Sequence, residues 1–158
     1  MIKQHWKTYA FWILLSEAVG ALSGWLTRNG TKVFNQMVSK PPLTPPPLVF
    51  PIVWGILFLL MGIGAARVSL AAPSRARSLG LNLFVTQLVV NFFWSPVFFI
   101  LQAYGFALFW LVLLMILVVV MILVFHKSDS AAAWLQIPYL LWLLFATYLN
   151  AGVWLLNP

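Results

Sequence analysis

Residues Ser39 to Trp54 read SKPPLTPPPLVFPIVW, and six of the chain's ten prolines fall inside this stretch. Each proline fixes its own φ, lacks an N–H and pushes the residue before it toward extended conformations, so residues 41–47 cannot form a helix interior. They predict a stiff, folded-over loop over 39–47, with Lys40, Pro41, Pro45 and Pro46 as its framework. Pro46 or Pro47 suits the first turn of the helix that follows, where a missing N–H costs nothing. The stretch reads as a rigid collar joining two long apolar segments, with Trp54 directly beneath it.

Moving outward from the collar, five segments of about 20 apolar residues appear, the length needed to cross bilayer hydrocarbon. They lie at approximately 8–26, 47–68, 79–101, 104–125 and 132–156. Across all 158 residues 63% are apolar and 7% charged, against roughly 25% charged in soluble domains. So few charges cannot cover a water-facing surface, and the fold class expected is an all-α integral membrane protein, a single-domain bundle of five transmembrane helices. The net charge of +7 would suggest nucleic acid in a soluble protein. Here the basic residues flank apolar runs, so they read as topology signals and contacts with lipid head groups, with no nucleic-acid partner. Lys3, Lys7, Arg75, Arg77 and Lys127, with Arg67 at a span's edge, fall on one side. Arg28, Lys32 and Lys40 fall on the other. In a bacterial cell membrane this bias puts the N-terminus in the cytoplasm and the collar outside.

The first span resembles a secretory signal at its start, but Glu17 interrupts it and no clean cleavage triplet follows, so it reads as a retained helix. Glu17 shares a side with Gly20, Ala21 and Gly24, and Ser16, Gly20 and Gly24 form a series of small residues that allows close helix approach. Glu17 is therefore either part of a packed seam or a functional group. In the third span Gln87, Asn91 and Ser95 recur one turn apart beside Trp94. Polar groups in hydrocarbon need partners, so this row either binds neighbouring helices or lines a cavity. Pro96 should kink this helix and free carbonyls near 87–92. The fourth span has no strongly polar residue and reads as the most lipid-facing. In the last, Trp142, Ala146 and Asn150 align one turn apart. With no cysteine, two acids and two histidines, no thiol, metal, paired-carboxylate or triad chemistry can be assembled, and no catalytic residue or metal ligand is expected.

The ordered motifs KPPLTPP, VFPIVWGILFLLMG, Gln87, VNFFWSPVFF and IPYLLWLLFATYLNAGVW resemble the translocator protein family, also called tryptophan-rich sensory proteins or peripheral-type benzodiazepine receptors. The resemblance spans nearly the whole chain. It implies a five-helix membrane bundle, often a homodimer, with a cavity closed by the loop after the first helix. In the family that cavity binds porphyrins such as protoporphyrin IX, as a ligand and not a cofactor, and in many members hydrophobic drugs and cholesterol, and the resemblance implies a porphyrin ligand here. Carried over, it puts Trp54, Asn91, Trp94, Trp142, Ala146 and Asn150 around the pocket, with Gln87 in the same row and Phe58 and Phe106 where an aromatic lines it. The chain departs from the family at Phe34 and Asn35, which replace a Trp-Tyr pair, and at Leu43, which replaces a tryptophan. No tyrosine here is followed closely by Lys or Arg, so the proposed cholesterol pattern is missing. The function implied is a membrane receptor or sensor for a tetrapyrrole. Transport of such molecules and light-dependent porphyrin breakdown stand as alternatives.

Overall fold

The computed structural model describes residues 2–158, with side chains from Gln4 onward; the side chain of Lys3, counted in the charge bias above, lies outside it. The described residues form α1 (Ile2–Leu26), α2 (Arg28–Met37), α3 (Val49–Ser69), α4 (Arg75–Ser95) continuing into a π-helical turn (Pro96–Ile100), α5 (Tyr104–Ser128), α6 (Ser130–Trp134) and α7 (Ile137–Leu156). Five of these segments are long and apolar enough to cross a membrane, α6 and α7 together making the last. The protein is thus a multi-pass membrane bundle.

The spans form a ring in the order α1, α3, α7, α5, α4, with α4 returning to α1 and also touching α3. Gly62 lets α3 approach α1 closely: a Cβ there would lie 2.5 Å from the Ile13 Cα. Gly20 faces the ring of Phe58, whereas Gly24 faces open space. The small-residue seam of α1 therefore runs through Ser16, which is buried, and Gly20, and stops short of Gly24. Glu17, half-buried, lies on none of the cavity walls described below.

α5, apolar from Gly105 to Phe125, is more central than its composition suggests. Ala107, Leu111, Leu114, Val118, Met121 and Phe125 are buried at alternating spacings of four and three, the stripe of a helix packed on partners along its length. Only its other faces, with Phe109, Ile116 and Leu123, are exposed.

Two breaks follow from proline. Pro96 offers no N–H to the carbonyl of Phe92 and its ring crowds that carbonyl. The helix widens into the π turn, closed by Leu101 N–H donating to Pro96 O at 3.0 Å. The freed Phe92 carbonyl accepts from the Ser23 hydroxyl of α1 at 2.9 Å, so a kink in one helix becomes a bond to another. Pro138, the second residue of α7, stops the last span from being one helix. The chain turns at Leu135 and Gln136, dividing the segment expected over 132–156.

The connection expected between Leu26 and the prolines is largely helical. α2 docks through Phe34, whose ring lies 5.3 Å from both Phe98 and Phe99. Gly30 permits this, since a Cβ there would stand 2.6 Å from the Phe99 carbonyl oxygen. Pro46 and Pro47 precede α3, and the proline used in its first turn is Pro51. On the opposite membrane face Arg67 Nε meets Asp129 Oδ1 at 3.1 Å, and the same oxygen accepts from the Ala132 N–H at 2.8 Å to cap α6.

Candidate functional site

The collar is held at three points to the end of α7. Asn157 both accepts from the Ser39 N–H (3.1 Å) and donates to the Ser39 carbonyl (2.8 Å). Tyr148 donates to the Pro42 carbonyl at 2.7 Å. Pro41 is buried against Gly152, where a Cβ would come within 2.5 Å of the proline ring. Leu43 sits at φ 70°, a left-handed conformation unusual for a branched residue, with its side chain exposed to the outside. It therefore does not roof the interior.

Beneath the collar Trp54, Asn91, Trp94, Leu111, Leu114 and Ala146 surround a cavity of about 10 Å³. That is room for roughly one water molecule. A drug-sized ligand needs roughly 300–1,000 Å³. The hollow expected here is in fact a closed aromatic seam, because the rings fill it. Trp54 stacks on Phe58 at 5.5 Å and meets Tyr139 and Trp142 edge-on at 6.2 and 6.5 Å. Trp94 stacks on Phe98 at 4.8 Å.

The expected residues divide into layers. Trp54, Asn91, Trp94 and Ala146 line the seam. Asn150 stands behind Trp94, accepting from its indole N–H at 3.1 Å and donating to the Tyr104 carbonyl at 2.8 Å. Phe58 backs Trp54 and is buried. Gln87 lies one turn deeper, wholly buried, and its amide oxygen accepts from Tyr139 Oη at 2.7 Å. Asn91 donates to the same hydroxyl at 2.7 Å, and Gln87 Nε2 approaches Met61 Sδ at 3.7 Å. The polar row of α4 is thus both glue and lining, Gln87 the first and Asn91 both. Trp142 is half-buried between Phe50 (5.9 Å), Trp54 and Phe145 (5.5 Å), and its indole N–H is buried with no acceptor among the described residues. Phe106 stands apart from the expected set: it is 58% exposed on the outer side of α5, beside Trp110. It precedes the buried stripe by one residue, Ala107 taking the inward position.

A second, larger hollow of about 350 Å³ lies at the collar itself, lined by Phe34, Asn35, Lys40, Thr44, Pro45–Pro47 and Phe50. Pro41 is not among its walls, being spent on packing against Gly152. Phe50 belongs to this hollow and touches Trp142, which touches Trp54 of the seam, so an unbroken line of rings joins the two spaces.

With this geometry in place, the relatives can be weighed. The sequence profile of the TspO/MBR family matches residues 12–155. The chain belongs to the TspO/MBR family. It is 37% identical over 152 residues to the tryptophan-rich protein TspO of Chlorobaculum tepidum, covering 96% of each chain. It is similar to the protein CrtK of Rhodobacter capsulatus at 38% identity over 122 residues, 77% of this chain and 76% of the relative. The bovine translocator protein is 32% identical over 151 residues, covering 94% of this chain and 89% of its own. The TspO/MBR match takes in α3, α4 and α5 entire and α7 as far as Leu155, and with them the whole seam and the collar loop.

Sequence reasoning missed Leu111, Leu114, Tyr139 and Phe50 as neighbours of the seam and the collar hollow, whereas Phe34 was marked there with Asn35. Tyr139 and Phe50 had a signal, each lying one turn or less from an expected tryptophan. Leu111 and Leu114 had none, since in a helix apolar all round no side is marked.

Proposed function

We propose that this protein is a membrane receptor that senses a flat, amphipathic tetrapyrrole of the protoporphyrin IX class, taken up between α3 and α7. The observation that carries the reading is the Trp142 indole N–H, buried among aromatic rings with no acceptor among the described residues. A buried donor without a partner costs about 1–3 kcal/mol, and the π face of a bound ring system would accept it and recover part of that cost. A planar ring also gains by stacking on the face of Trp54, to which Trp142 stands edge-on at 87°. Because the seam holds about 10 Å³ when empty, binding must part these indoles, moving Trp142 and Phe50 toward the collar hollow.

The names of the relatives include both sensory and translocator proteins, and transport is the second reading. Conduction through the bundle would have to pass the layer of Gln87, Tyr139 and Met61, all wholly buried and mutually bonded. That plug favours a receptor open to one face over a conduit. Light-driven breakdown of the bound pigment would draw its reactivity from the pigment, and no residue here is assigned to it. The further reading is of a bacterial cell membrane with the N-terminus inside, on the charge bias of the loops, and of a homodimer, on the resemblance to the family alone.

Titrating protoporphyrin IX into protein held in nanodiscs should give saturable quenching of tryptophan fluorescence. Trp54→Ala and Trp142→Ala should each weaken it by about tenfold, the loss of one stacked ring. Saturable quenching unmoved by either substitution would remove the seam from the reading, and none at all would remove the tetrapyrrole.

A further inference from the structure

The collar hollow has a chemistry of its own. The chain carries two acids: Asp129 is held by Arg67 on the opposite face, and Glu17 lies within α1. Arg28, Lys32 and Lys40, on the collar face, therefore meet no carboxylate side chain. Of these, Lys40 lines the hollow. Its ammonium donates to the carbonyls of Asn35 (3.2 Å) and Val38 (3.1 Å) and stands 5.0 Å from the centre of the Phe34 ring. An ammonium has three N–H donors, so one remains. The ring below it is fixed by Phe98 and Phe99, and Phe50 forms a second apolar wall. Asn35 adds an amide at the rim. Two aromatic walls with a positioned, uncompensated cation at the edge form a slot for an aromatic acid.

We infer that this hollow is a carboxylate-reading site, in which Lys40 receives the acidic edge of a flat aromatic ligand while Phe34 and Phe50 hold its ring. The inference rests on the tetrapyrrole reading of the seam and deepens it, since the line from Phe50 through Trp142 to Trp54 leads from this slot to the seam. A tetrapyrrole carrying propionates at one edge would enter ring first and stop with its carboxylates at Lys40.

The test compares protoporphyrin IX with its dimethyl ester, identical in ring and lacking the charge, on wild-type protein, Lys40→Gln and Lys40→Arg in nanodiscs of zwitterionic lipid. Wild type should bind the diacid about tenfold more tightly than the diester, the effect of one charge-assisted contact at a partly screened site. Lys40→Gln should abolish that preference while leaving diester affinity within about twofold, and Lys40→Arg should restore it. Because Lys40 also ties down two collar carbonyls, the diester reports on the collar's integrity: an equal loss for both ligands, or a preference that survives Lys40→Gln, overturns the inference and leaves the tetrapyrrole reading standing. Binding of neither ligand by wild type overturns both.

Discussion

Asn150 shows how much one buried amide does in this molecule. Its oxygen holds the Trp94 indole and its nitrogen holds the Tyr104 carbonyl, so one side chain fixes the seam wall of α4 and the start of α5 from α7. In hydrocarbon neither group has water to fall back on. Asn150→Ala should therefore cost about 1–2 kcal/mol, two interhelical bonds at the modest worth they have in membranes. Thermal unfolding in detergent should show the loss, and Trp94, freed to turn, should broaden the emission band. An unchanged melting temperature would mean that the two partners re-pair without Asn150. The residue was legible in the sequence as a polar group on a face with Trp142 and Ala146. Its partners were not, because spacing along one helix says which residues share a face and nothing of what lies opposite.

At the scale of the element, the break in α4 is a device shared by two helices. Pro96 withdraws the donor that the Phe92 carbonyl would have used, and Ser23 supplies another from α1. The bond exists only because the proline does, which makes the two positions energetically coupled. Ser23→Ala should destabilise the wild type by about 1–3 kcal/mol by stranding a part-buried carbonyl that has no water to turn to within hydrocarbon. In a Pro96→Ala background, where the residue 96 N–H can again reach Phe92, the same change should cost only a few tenths of a kcal/mol. A double-mutant cycle by thermal unfolding measures the difference directly, and additive effects would show that Ser23 acts through packing alone. The sequence disclosed the freed carbonyl, since proline chemistry is local. It disclosed neither the donor nor α2, whose ten residues carry two basic side chains, a glycine and two asparagines. That composition looks like a polar loop until Phe34 is seen docked on the π turn. The same limit applies to α5, where a stripe of buried residues is invisible against a uniformly apolar background.

For the whole molecule, the governing fact is that the seam is shut while the collar hollow above it is open, about 10 Å³ against about 350 Å³. Charge and proline content made the five spans and the collar readable. The closure is a matter of side-chain packing in three dimensions, in which Phe58, Phe98 and Tyr139 fill the space that the expected tryptophans were to enclose. A ligand that enters the seam from the collar side must pass a collar pinned by Asn157 to Ser39 and by Tyr148 to Pro42. These bonds lie at the water-exposed rim, so each contributes little to stability, roughly 0.5–1 kcal/mol. Their effect on rate is separate. If the pins are made both in the empty and in the occupied protein and broken only while the ligand passes, removing them lowers the barrier equally in both directions. Tyr148→Phe combined with Asn157→Ala should then raise both the association and the dissociation rate of protoporphyrin IX by about five- to tenfold, with Kd held within about twofold. Stopped-flow quenching of tryptophan fluorescence separates the two rates. A faster dissociation with unchanged association would instead make the pins part of the bound state alone, and unchanged rates would direct the entry path away from the collar, to a lateral opening between α3 and α7.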